Sequence, residues 1–141
     1  MERDTQRKVL VAVVLLHLIV SIAHGSAHAR AGVDLSGPSL AFVLLVVFAG
    51  PLIGLAWMWK NPIAGARVVG ITMAASLVFG LVNHFIIPGG DRVDHVVAHS
   101  RVLFGWTAAM LVITEAAGTV LGLEYGWPGR IRPPRELRRV S

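Results

Sequence analysis

The chain contains no cysteine, which removes disulfides, thiolate metal sites and thiol redox chemistry together. It is also short of charge. Only 15% of its 141 residues are Asp, Glu, Lys or Arg, against about 25% in an ordinary soluble domain. The shortage is patterned: residues 9–29, 35–59 and 68–90 carry none, and Val102 to Leu123 carries only Glu115. Each stretch meets the ~20 apolar residues that a helix needs to cross ~30 Å of hydrocarbon. What fills them is reflected in 55% hydrophobic residues and a mean hydropathy of +0.67. A polar-surfaced, water-soluble domain is therefore excluded. The expectation is an all-α integral membrane four-helix bundle, one domain over residues 1–127, with helices at about 9–29, 38–59, 62–87 and 92–125.

A pI near 11 would fit a nucleic-acid binder, but the bases are sorted by side instead. Arg3, Arg7, Lys8, Lys60, Arg67 and the tail residues Arg130, Arg132, Arg135, Arg138 and Arg139 lie on one side of the expected bundle. Only Arg30, Arg92 and Arg101 lie on the other. The positive-inside rule then puts both termini in the cytoplasm of a multi-pass protein of the cell inner (plasma) membrane. Residues 128–141 read as a disordered basic tail that meets anionic lipid headgroups, with no role for nucleic acid.

Local signals mark the helix ends. Gly37-Pro38 and Asn61-Pro62 place proline at the first helical position, where its missing N–H costs nothing. Asn61 adds an N-cap, and Pro88-Gly89-Gly90 ends the third helix. Asp91 and Asp94 read as acids favouring the start of the fourth. Pro51, in mid-helix, frees the carbonyl of Val47 and predicts a kink. Gly70-x-x-x-Ala74, Ser76-x-x-x-Gly80 and Gly118-x-x-x-Gly122 are spacings that allow close helix contact. The first segment has a second reading. Its basic arm, apolar core and Ala27-His28-Ala29 resemble a cleaved secretory signal, but His17 within the core and acids within the arm favour a retained helix.

The polar residues left inside the hydrocarbon carry the functional argument. His24, His28, His84, His95 and His99 fall in one outer layer, roughly 6 to 8 Å thick at 1.5 Å per residue. Histidines at helix ends are commonly wet and interfacial, and Asp91 and Asp94 have sufficient work as caps. Five of the six histidines in one layer make a ligand set the better reading. Imidazole without thiolate suits a transition metal, Zn or Cu first and Fe next, with Asp91 or Asp94 as additional or supporting oxygens. Deeper in, His17 and Glu115 share a depth and read as a buried polar pair, either interhelical glue or a proton relay.

Two alternatives stand beside metal binding. One haem b between facing histidines would make a cytochrome subunit; a second haem lacks ligands. A structural or accessory subunit, in a homo-oligomer or larger membrane complex, needs no cofactor but leaves the histidine layer unexplained. No nucleophile or substrate motif marks an enzyme. One conflict is visible in advance: His99 and Glu115 lie about 160° apart around an ideal helix, so a straight fourth helix cannot turn both inward.

Overall fold

The computed structural model describes residues 2–35 and 37–127; the expected basic tail, 128–141, lies outside them. Four helices follow in order: α1 (Arg3–Ala31), α2 (Gly37–Met58), α3 (Pro62–Ile86) and α4 (Ala98–Gly126). All four are long and apolar enough to cross a membrane, and no strand occurs among the described residues. Their outward faces are hydrocarbon as well, with Ile19, Leu45, Ile53, Ile71, Val102 and Ile113 exposed. A helix apolar on every side needs an apolar surrounding.

α4 is the hub. It packs along both α1 and α3, and α3 packs along α2, whereas α1 and α2 scarcely touch. The spatial order α1–α4–α3–α2 is thus an arc, open between its two ends. Close backbone approach holds the arc together where glycine permits it. A Cβ on Gly122 would lie 2.6 Å from the Gly70 nitrogen and 2.9 Å from the Ala66 oxygen, so only hydrogen fits between α3 and α4. A Cβ on Gly54 would lie 2.9 Å from the Val69 nitrogen, which brings α2 equally close to α3.

One end of the bundle is cationic and aromatic. Arg67 donates from Nε to the Gly126 carbonyl at 2.9 Å and lies 4.7 Å from the Trp127 ring centroid. Arg3 lies over Tyr125 at 5.8 Å. These contacts put the starts of α1 and α3 and the end of α4 together. The core beneath them is Leu10, Val14, Met58, Val69 and Met73. At the opposite end Ala27, Val96 and Phe104 form a second apolar cluster, and the histidines gather there.

The Asn61-Pro62 expectation holds. Asn61 Oδ1 accepts from the Ala64 N–H at 3.0 Å, with Pro62 next in line. Gly32, at φ 64°, ends α1 in the left-handed conformation, which glycine adopts without strain. The effect of Pro51 takes a different form from a simple kink. Residues Val43–Ala49 widen into a π-helical stretch, and the Val47 carbonyl, deprived of a partner at Pro51, accepts from His17 Nε2 at 3.2 Å. A second π-helical stretch, Val82–Ile86, ends α3.

The start of the fourth helix requires a correction. It begins at Ala98, with residues 87–97 in turns and irregular backbone. The Val93 N–H donates to the His84 carbonyl at 3.0 Å, and the His95 and Val96 N–H groups donate to the Arg92 carbonyl. Val96 is buried against Ala27 and Phe104. The segment folds down as a cover over the histidine end, where those apolar and backbone contacts take the place of an extra helical turn. Asp91 and Asp94 are therefore not helix caps.

Candidate metal centre

Three of the expected ligands meet. His24 and His28 lie one turn apart on α1, and the π-helical turn carries His84 toward them from α3. His24 Nε2 lies 3.1 Å from His84 Nε2 and 3.2 Å from His28 Nε2; one donor atom from each ring falls within 4.8 Å of the others. All three side chains are buried. The rings meet edge to face, with centroids 4.7 Å apart for His24–His28 and 4.8 Å for His24–His84. Phe104 of α4 walls the group, its ring 4.8 Å from those of His24 and His28.

The other ring nitrogens decide where the protons sit. His84 Nδ1 lies 3.0 Å from the Asp91 carbonyl and His28 Nδ1 3.4 Å from the Val33 carbonyl. A carbonyl only accepts, so both Nδ1 atoms carry hydrogen. His24 Nδ1 lies 2.9 Å from Thr107 Oγ1. That hydroxyl's single proton is already directed at the Leu103 and Phe104 carbonyls, at 2.8 and 3.0 Å, so Thr107 accepts from His24 too. With every Nδ1 protonated, three Nε2 lone pairs face one small volume. Nothing in the protein lies between them to offset their repulsion; a cation or a shared proton would.

Spacing agrees with a metal. Tetrahedral coordination at ~2.0–2.1 Å places donor nitrogens about 3.3–3.4 Å apart, close to the two separations above. Oxygen partners on the far nitrogens orient metal-bound imidazoles in the same way. The carboxyl of Asp91 adds to this shell, its Oδ1 3.8 Å from His28 Nδ1. Thr107 and Phe104 are the residues the sequence reading missed.

His95 and His99 do not join. His95 is exposed and donates from Nδ1 to the Gly89 carbonyl at 3.0 Å. His99 is exposed on the first turn of α4. With the helix starting at Ala98, the pair never shares a helical face, and α4 turns Glu115 and Phe104 inward instead. Asp94 is exposed and paired with Arg92 at 2.7 Å. Desolvation pushes its carboxyl up, but the hydrogen bond and charge of Arg92 prevail and hold it below the usual carboxylate range.

Comparison of the chain with family models, curated proteins and solved structures returns no match. The site therefore stands on its own geometry.

His17 and Glu115 are both buried, at 0% and 2% exposure, but no hydrogen bond or ion pair joins them among the described residues. His17 is engaged by Val47, and its Nδ1 has no partner. Glu115 Oε2 is buried without a partner. It projects toward α3, 3.7 Å from where a Cβ on Gly80 would be. Above it, the gap between α1 and α2 opens into a cleft of about 580 Å³, lined by the three clustered histidines, Ser21, Asp34, Ser76, Asp91 and Glu115 among mostly apolar side chains.

Proposed function

We propose that this protein is a multi-pass membrane protein that binds one transition-metal ion through Nε2 of His24, His28 and His84, near the outer face of the cell inner membrane. The observation that carries this reading is the convergence of three Nε2 atoms whose Nδ1 partners all accept hydrogen. Three neutral imidazoles without thiolate favour Zn or Cu, with Fe next. Three protein ligands leave a coordination position free, as in catalytic rather than purely structural zinc sites, and the adjoining cleft gives that position room. Haem fits less well, because a porphyrin must lie between its two axial imidazoles, and here the Nε2 atoms of His24 and His84 are 3.1 Å apart. The apolar outward faces support insertion in a bilayer, and the sorting of basic residues supports cytoplasmic termini with the tail at anionic headgroups.

Elemental analysis of detergent-purified protein, after dialysis against Zn or Cu and then buffer, tests the reading. Wild type should retain about one ion per chain, and His24→Ala, which removes the ring contacting both others, should retain none. His95→Ala and His99→Ala should match wild type. A well-folded wild type that holds neither metal, or one that purifies with a haem absorption band, would overturn the assignment.

A further inference from the structure

The cleft beside the histidines has the attributes of a binding site that the metal alone does not explain. Its volume, about 580 Å³, falls within the ~300–1,000 Å³ of small-molecule sites, which are mostly apolar with a few placed polar groups. Its mouth lies between α1 and α2, the one neighbouring pair along the chain that scarcely packs. Ile22, Leu40 and Leu44 line it and are themselves exposed. On the membrane reading above, that mouth opens sideways into hydrocarbon, so an apolar molecule reaches it without crossing water.

Within the cleft the polar groups sit at two levels. The histidines occupy the outer level. Gly80 is four residues before His84, about 6 Å lower along α3, and Glu115 Oε2 approaches it there. That oxygen is buried and lacks any partner. A buried acceptor left unsatisfied costs roughly 1–3 kcal/mol, and α4 keeps one here although Ser76 lines the same cleft. Ser76 cannot serve it, since its hydroxyl donates to the Thr72 carbonyl at 2.9 Å. No described side chain supplies the donor, and an occupant of the cleft can.

We infer that the cleft binds a neutral, hydroxylated amphiphile, its hydroxyl donating to Glu115 and its chain leaving between α1 and α2 into the bilayer. A hydroxyl suits the position better than an ammonium group, because a metal ion one helical turn away would repel a second cation. The inference rests on the membrane and metal reading, and the experiment keeps the two apart.

The probe is a diazirine-bearing long-chain alcohol, photolysed with the metal-loaded full chain in phospholipid nanodiscs, with adducts mapped by mass spectrometry. Saturable labelling of α1 and α2 residues at the cleft is expected, competed by hexadecanol and not by hexadecane. Glu115→Leu should weaken it about tenfold, the scale of one hydrogen bond to a carboxyl. Gly25→Leu supplies a second route. Gly25 lines the cleft, and a Cβ there meets nothing within 4 Å, so a larger side chain can start there without a clash at its root. It should reduce cleft labelling while retained metal reports an intact fold. Labelling spread over lipid-facing positions such as Ile53 and Ile113, equal competition by hexadecane, or undiminished labelling in metal-retaining Gly25→Leu overturns the inference. Loss of metal in wild type would instead overturn the reading beneath it.

Discussion

Thr107 shows how much one residue can set without touching an ion. Its proton is committed to its own helix, so its oxygen can only accept from His24, and that acceptance turns the His24 Nε2 lone pair toward the other two rings. Thr107→Val keeps the shape and removes the acceptor. Metal affinity should fall about 10- to 100-fold, the usual effect of losing such a supporting contact, in a competitive chelator titration. Thr107→Ser should restore it, which a loss of packing alone would not explain. A threonine in an apolar helix gives no sign of this in sequence, because bonding back to its own turn is its ordinary behaviour. Phe104 was more legible. It lies about 20° from Glu115 around the helix, so extending the Glu115 face outward reaches it and already turns His99 away.

At the scale of elements, helix existence and the close-packed glycines could be read directly, because hydrocarbon length and small-residue spacing are one-dimensional signals. The π-helical stretches could not. Whether a proline kinks a helix or widens it depends on which side chain from another helix takes the freed carbonyl, and His17 does so from 30 residues away. The late start of α4 was hidden for a similar reason: acidic residues after Pro-Gly-Gly look like caps, and only burial of Val96 beneath the outer end shows another use. The α3–α4 contact offers a direct test. Gly122→Val would drive a side chain into the Gly70 backbone. It should destabilise the protein by about 1–3 kcal/mol or more, read as a lowered midpoint of unfolding in detergent and accompanied by metal loss as α3 moves off α4.

For the whole molecule, orientation is the property that charge sorting predicts and the helices alone do not. The lack of cysteine makes it measurable without further engineering. Single cysteines replacing His95 or His99, both exposed and outside the metal cluster, should react with a membrane-impermeant maleimide added to intact cells. Cysteines replacing Lys8 or Lys60 should react only after permeabilisation. The reverse pattern would turn the protein over and place the histidines on the cytoplasmic side. The candidate site was legible at the same coarse level: depth grouped five histidines, of which three meet, and selecting those three required the angular position of each helix, which depth does not contain.

The arc order has a consequence in time. α1 packs along α4, so a ribosome working at about 5–20 residues per second needs roughly 5–20 s after finishing α1 before its partner is complete. Until then His24 and His28 lack Thr107 and Phe104, and His84 joins them only once α3 is made. On the metal reading, capture awaits α4: a nascent chain stalled before it would carry His24, His28 and His84 without the Thr107 acceptor that aims His24 Nε2.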